Sequence, residues 1–317
     1  MKCTICGNSN DTTTFQAKEM MYGSRETFMF RHCRCCDTVQ MISPIANMSN
    51  YYPADYCSFS PGTTDPGERY KTLLGKLHLK RDTFHATGKG CIGRLLAALK
   101  PSQEYQIYKP LRLNSRQRIL DIGSGNGNLL LRLSYISGLS NFIGIDPFIE
   151  KDICHRGGVR VFKKTIFETN GEWDIVMFHH SLEHMPNPKE VLQKAFSLLK
   201  KGGLCMISMP VCNSYAFRHY RENWVQLDAP RHLYIYSAKS CLLLAKEAGF
   251  RPENHCDNSS YFQFTGSELY KNDIPLNDPR SGNFFSRKKI NGFAKRAKEL
   301  NKRGKGDQSV FYLRKPE

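Results

Sequence analysis

From Arg116 onward the chain alternates short, unbroken apolar runs with longer segments in which apolar residues recur every three or four positions. The runs are RIL before Asp121, FIGID at 142–146, VRVF at 159–162, DIVMF at 174–178 and LCMISMP at 204–210. Runs of this length without polar alternation predict strands buried on both faces. Between the last two, KEVLQKAFSLLKKGG sets Val191, Leu192, Ala195, Phe196, Leu198 and Leu199 on one helical stripe, with its stop predicted at Gly202 and Gly203. A further helix is predicted from Ala238 to Ala248, ended by Gly249, and two last strands after Phe250 and at QSVFYLRK. This alternation predicts a parallel α/β sheet with crossover helices.

The first 115 residues follow other patterns. Residues 1–60 carry paired cysteines and then the Tyr-rich NYYPADYCSF; residues 61–115 read as a basic, partly helical connector opening with PGTTDPG. The expected layout is a zinc-binding module at 1–60, the connector at 61–115 and the α/β domain at 116–317, with a basic insertion at about 259–306. Cys3 with Cys6 and Cys33 with Cys36 form two C-x2-C knuckles, the spacing of a closed four-thiolate structural zinc site. Cys35 and His32 lie close enough to compete with Cys36 for the fourth place.

Charge adds a second theme. The formal net charge is +17, and residues 286–305 alone contribute +8, since nine Lys and Arg face only Glu299. In SRKKINGFAKRAKEL, Ile290, Phe293, Ala297 and Leu300 are spaced as one apolar stripe amid the cations. That pattern fits a helix lying on a membrane surface, and equally a solvated helix packed on its own domain. No apolar stretch follows Lys2 and no run approaches a bilayer span, so a cytoplasmic protein is expected, with peripheral contact at the inner membrane surface through residues 286–305.

The strongest chemical signal is RILDIGSGNGNLLLRL: a strand ending in Asp121, a loop with Gly123, Gly125 and Gly127, then a helix whose first amides are free. The next strand ends in Asp146, an acidic tip suited to two ribose hydroxyls. Asn128 stands where a dinucleotide fingerprint has its third glycine, and Asp121 is placed to face a cationic amino group, which favours S-adenosylmethionine over NAD. Beyond the fourth strand come His179, His180, Glu183 and His184, and beyond the fifth Asp228, Arg231 and His232. Both sets follow the edge where open α/β sheets bind substrate. His180 is the expected base, and His232 with Asp228 and Arg231 the expected acceptor-orienting group, with His184 a further catalytic candidate. HSLEH as a plain helix start, and Asp228–Arg231 as a loop's own ion pair, are the structural alternatives. Tyr52 and Tyr56 are either a cover for the cofactor or core aromatics.

Taken together, D-I-G-S-G-N-G, I-D-P, WDIVMFHHSLEHMPNP and LLKKGGLCMISMP resemble the class I S-adenosylmethionine-dependent methyltransferase superfamily. The similarity is greatest to the group with an N-terminal zinc-ribbon-like segment, found in bacterial surface-polysaccharide pathways; D-x-P-R-H-L also matches that group. The resemblance implies a Rossmann-like seven-stranded sheet whose last strand is antiparallel. It sets Asp121, Gly123, Gly125 and Gly127 on the methionine side of the cofactor and Asp146 on the ribose. Thr165 occupies the position where this group carries an acidic residue near the adenine, so Ile166, Phe167 and backbone amides are expected there instead, and His179 joins the cofactor candidates. The acceptor implied is a sugar hydroxyl of a nucleotide-linked or lipid-linked, phosphorylated glycan precursor. RNA methylation through the zinc module and the basic surface is the alternative, against which stands the lack of an N-P-P-[FWY] motif.

Overall fold

A computed structural model describes residues 2–53, 56, 65–155 and 157–317. The chain opens with antiparallel strands β1 (Thr12–Lys18), β2 (Thr27–Cys33) and β3 (Thr38–Met41), followed by helices α1 (Leu73–Thr87) and α2 (Cys91–Leu99). The alternating region then gives β4 (Ile119–Ile122), α3 (Asn128–Ser137), β5 (Phe142–Ile145), the short β6 (Ile153–Cys154) and β7 (Arg160–Phe162), β8 (Trp173–His179), α4 (Pro188–Leu198) and β9 (Leu199–Pro210). After α5 (Tyr215–Tyr220) and β10 (Tyr234–Ile235) come α6 (Ala238–Glu247), β11 (Arg251–Asp257), α7 (Phe262–Lys271), α8 (Arg287–Lys302) and β12 (Gln308–Arg314).

The main sheet has the order β11-β12-β9-β8-β4-β5-β7-β6. Strands β4, β5, β7, β8 and β9 are parallel, and β12 runs antiparallel between β9 and β11. The expected seven strands are present, but an eighth is added: Ile153–Cys154 pairs antiparallel with β7 through a turn containing Gly157 and Gly158, both at φ 90°. Helix α4 also departs from expectation. Val191, Leu192, Ala195 and Leu198 are buried as the stripe requires, yet the helix ends at Leu198 and Leu199 turns extended (ψ 142°) to begin β9. Lys200–Gly203 therefore lengthen the strand rather than cap the helix, and the pairing register with β8 shifts between Trp173 and Ile175.

Both faces of the sheet are covered, as the unbroken apolar runs demand. Leu120, Ile122 and Phe178 pack with α4 and α6 on one face; Ile119, Ile175 and Met177 pack with α3 and Tyr108 on the other. A third core joins Phe28, Phe30 and Val39 of the N-terminal strands to Trp224, Phe264 and Ala297. The N-terminal sheet has the order β1-β2-β3-β10, so its last strand comes from the α/β body, with Ile235 opposite Val39. Helix α8 forms as its spacing predicts, and its stripe faces inward: Ala297 is buried, Phe293 and Leu300 pack on the third core, and the Phe293 ring lies 5.1 Å from Phe264. The apolar side on which the membrane expectation for residues 286–305 rested is thus covered by the domain. Among the described residues, no helix is long and apolar enough to cross a membrane.

Candidate active site

At the carboxyl edge of the sheet the backbone after β4 folds tightly. Gly123, Gly125 and Gly127 have φ of 75°, 54° and 80°, values an L side chain resists. A Cβ on Gly123 would stand 2.5 Å from Ser181 Cβ, and one on Gly127 2.7 Å from Val161 Cγ2. The loop can only be glycine-rich. Asp146 at the tip of β5 is held from two sides: the Gly125 amide donates to Oδ2 and the Phe148 amide to Oδ1, each at 2.9 Å. Burial raises its pKa and these two amides oppose the rise. With its orientation set by backbone donors, each oxygen keeps a lone pair for a ribose hydroxyl. Asp121 is 2% exposed and its Oδ1 accepts no hydrogen bond, while burial, reinforced by Asp146, pushes its pKa well above the carboxylate range. A buried carboxyl without a donor fits a cationic amino group.

Beside this loop lies a cavity of about 290 Å³ lined by Gly123, Asp146, Ile166, Phe167, His180 and His184 among others. Tyr52 and Tyr56 also line it. Tyr52 stacks on Phe148 at 5.9 Å, with Tyr56 edge-on at 5.0 Å. They form a wall of the cavity and are not residues of a separate core. Thr165 lines it as well, but its hydroxyl donates to Glu168 in a capping box that starts the short turn Ile166–Glu168. His179 is not part of the lining; it succeeds Phe178, so alternation sets it on the opposite sheet face, the one covered by α3.

The groups beyond β8 converge more closely than their spacing suggests. His180 holds a left-handed backbone (φ 54°), fixed by its amide donating to the Ser208 carbonyl, and lines the cavity with its ring. Its Nδ1 lies 3.6 Å from Oε1 of Glu183. Glu183 is fully buried, and neither of its oxygens accepts a hydrogen bond. Burial alone would raise its pKa; the nearby His180, His184 and His232 outweigh that and bring it down to about 2. His184 bonds through Nδ1 to the Arg231 carbonyl at 3.0 Å, and His232 through Nδ1 to the Gln226 carbonyl at 2.8 Å. A carbonyl can only accept, so the His232 ring carries hydrogen on Nδ1 and, when neutral, a lone pair on Nε2, whereas His184 Nδ1 also lies 3.1 Å from the Tyr52 hydroxyl. Burial, aided by His232, lowers the His184 pKa to about 4. The rings of His184 and His232 lie 4.7 Å apart, and with Glu183 they offer three donor atoms within 4.8 Å of one another. Such a group can hold either a proton or a divalent cation.

Two expectations for the loop beyond β9 are corrected. Arg231 is 1% exposed and spends its guanidinium within the protein: Nε and Nη2 donate to Asp228, Nη2 also to Glu19 at 2.9 Å, and Nη1 to the Tyr51 carbonyl. It ties the loop to the N-terminal segment and has no free fork for a phosphate. Asp228, in a left-handed turn (φ 36°), is engaged by the same ion pair, and burial opposed chiefly by Arg231 leaves its pKa lowered. His232 does not face His180 across the cavity; buried at 5% exposure, it stands behind His184 because the turn Val225–Leu227 presents the Gln226 carbonyl to its Nδ1. Glu183 was placed at this edge but given no role, and Glu19 was not among the expected site residues. The first was legible as the centre of H-x-x-E-H; the second, 212 positions from Arg231, carried no sequence signal.

The four cysteines meet as their spacing predicts. Cys3 Sγ lies 3.7 Å from Cys36 Sγ and Cys6 Sγ 3.6 Å from Cys33 Sγ, with all four sulfurs within 4.8 Å. Tetrahedral thiolates at the usual zinc distance stand about 3.8 Å apart, so the donor set fits the ion. A hydrogen bond from Cys36 brings the Cys3 thiol down to about 4. Cys35 is exposed outside the cluster, and His32 is taken by Asp37 at 2.6 Å.

Fold and site together define an α/β protein with a nucleoside-cofactor cradle at the carboxyl edge of its sheet. A methyltransferase-domain model matches residues 94–255, just over half the chain, and the chain belongs to that family. Ubiquinone biosynthesis O-methyltransferase of Marinobacter nauticus is 31% identical over 120 residues, 31% of this chain and 50% of that protein. The Bordetella avium protein of the same name is 30% identical over 154 residues, 43% of this chain and 63% of that one. The chain therefore spans 50% to 63% of the length of these relatives. Among solved structures, an S-adenosylmethionine-dependent methyltransferase of Thermotoga maritima superposes over 75% of this chain and 99% of its own, at 18% identity and a TM-score of 0.41.

Proposed function

We propose that the enzyme methylates a hydroxyl oxygen, with His180 as the base and Glu183 as the charge that supports it. The observation that carries this reading is the buried Glu183 carboxylate, which accepts no hydrogen bond yet lies 3.6 Å from the Nδ1 of a histidine that lines the cavity. Bound against the glycine loop, S-adenosylmethionine supplies an electrophilic methyl group. Asp146 is assigned the ribose hydroxyls and Asp121 the amino group, while Ile166 and Phe167 flank the base of the nucleoside. Nε2 of His180 would take the acceptor hydroxyl's proton as the carbon–oxygen bond forms and the methyl carbon's bond to the sulfonium sulfur breaks, leaving a neutral thioether, and Glu183 would balance the imidazolium through Nδ1. His184, neutral and backed by His232 of the loop beyond β9, orients the acceptor from the same loop as His180.

The acceptor assigned is a sugar hydroxyl of a nucleotide-linked or lipid-linked glycan precursor, as the resemblance implies; the names of the relatives make a phenolic hydroxyl the second class to test. Arg231, being paired internally, gives no support for a phosphate on the acceptor. The four cysteines are assigned one structural zinc. Incubation with isotopically labelled cofactor and separate panels of nucleotide-sugars, lipid-linked glycans, catechols and RNA, followed by mass spectrometry, tests the proposal. A single labelled methyl on oxygen is expected for the glycan panel; a labelled catechol redirects the acceptor class, and label on nitrogen or on RNA alone overturns the reading.

A further inference from the structure

Every Leu and Ile that stands exposed among the described residues lies in one hairpin of helices. Leu73, Leu74 and Leu77 are on α1, and Ile92, Leu95 and Leu99 on α2; Leu73 and Leu99 are 79% and 76% exposed. The hairpin is closely packed where it folds back: a Cβ on Gly93 would stand 2.2 Å from the Lys80 carbonyl oxygen and 2.8 Å from Phe84 Cβ. The far side of α1, with Gly75, Asp82 and Ala86, is buried on the domain. Leu73, Leu77, Lys80 and Phe84 recur at helical spacing along the side of α1 that meets α2, whereas Ile92, Leu95 and Leu99 form a stripe on the side of α2 turned away from buried Gly93 and Ala97. The leucines of α1 thus continue the seam between the helices, and those of α2 stand clear of it in solvent.

The same surface is strongly basic. Lys76, Lys80, Lys89, Arg94 and Lys100 are all exposed, whereas Asp82, the sole acidic residue from 72 to 100, is buried with Arg81 and Tyr70. Six exposed aliphatic side chains and five exposed cations, with no exposed anion from 72 to 100, make the hairpin amphipathic, and its complement is apolar and anionic. A second copy of the chain would bring five like charges against five. A nucleic-acid backbone would leave the leucines unburied. The hairpin also has a defined position: Arg94, Ala97 and Ala98 share a cavity with Cys256 and Asp257, the last residues of β11, at the carboxyl edge of the sheet.

We infer that the α1–α2 hairpin docks onto an anionic lipid bilayer, setting its leucines at the headgroup boundary and its cations on the phosphates. This is a different surface from α8, whose apolar stripe is already covered. Each basic residue at an anionic surface strengthens binding about fivefold at physiological ionic strength.

Co-sedimentation of the full chain with sonicated vesicles of phosphatidylcholine alone, or with 30% phosphatidylglycerol, tests the inference. Binding is expected only to the anionic vesicles, weakened by added salt and reduced about tenfold or more in Leu77→Ser/Leu95→Ser/Leu99→Ser and in Lys76→Glu/Lys100→Glu. These positions are exposed, so circular dichroism and cofactor binding should match the unaltered chain. Absence of vesicle binding overturns the inference, as does loss of binding on reversing charges in α8 (Lys295→Glu/Lys298→Glu) with the hairpin variants unaffected. A dimer in analytical ultracentrifugation that the triple Ser variant dissolves, without vesicle binding, assigns the face to a second copy; RNA binding lost in the same variant assigns it to nucleic acid, and either result overturns it.

Discussion

Arg231 illustrates how one residue's role turns on what its chemistry finds nearby. As part of D-x-P-R-H it offers a planar cation suited to phosphate; in the fold it is buried between Asp228 and Glu19 and closes the acceptor loop onto the N-terminal segment. Removing the cation takes the counter-charge from half-buried Asp228 and from buried Glu19, which keeps only its Met21, Tyr22 and Ser24 donors, so Arg231→Met should destabilise the protein by about 3 kcal/mol. Urea denaturation checks this. A change of under 1 kcal/mol would return Arg231 to the acceptor. Glu183 behaves oppositely: its oxygens accept no hydrogen bond, so its cost is tolerated for the histidine beside it.

Elements read from the sequence succeeded where their cause was local. Strands β4, β5, β7 and β8 follow from short apolar runs, and the cofactor loop from glycines at positions where a Cβ would collide with Ser181 or Val161. The boundary between α4 and β9 was not legible, because Leu199 fits the helical stripe and the extended run equally well and is decided by pairing with Trp173. Likewise β10 is two residues whose partner lies nearly two hundred positions earlier, and His232 reads as an acceptor-orienting group until Gln226 is seen to hold it. The cysteine cluster was legible because two C-x2-C pairs have the spacing of zinc ligands, while the choice of Cys36 over Cys35 and His32 rests on the fold, which exposes Cys35 and pairs His32 with Asp37. One zinc per chain is expected, and Cys3→Ser should lower both metal content and thermal midpoint while S-adenosylmethionine affinity in the remaining folded protein is retained. Atomic absorption and thermal melts measure this; full metal content with lost turnover would contradict a structural role.

For the whole molecule, buried histidines couple stability to pH. The His184 pKa is lowered from 6.5 to about 4 and that of His179 from 6.5 to about 3, in both cases chiefly by burial. A histidine kept neutral in the fold but protonated when unfolded contributes stability above pH 6.5, and that contribution is lost as pH falls toward 4. Thermal midpoints should therefore decline from pH 6.5 to 4, and less steeply in His184→Gln; an unchanged slope would mean that His184 is accessible to protons in the native state. The central claim is that His180, supported by Glu183, takes the proton of an acceptor hydroxyl. It is tested most directly by single-turnover transfer of labelled methyl in the unaltered enzyme, His180→Ala and Glu183→Gln, with cofactor affinity measured in parallel. The account predicts a fall of about a hundred- to ten-thousandfold for His180→Ala, a smaller fall for Glu183→Gln, and unchanged cofactor affinity in both. Transfer within tenfold of the unaltered rate in His180→Ala would contradict it.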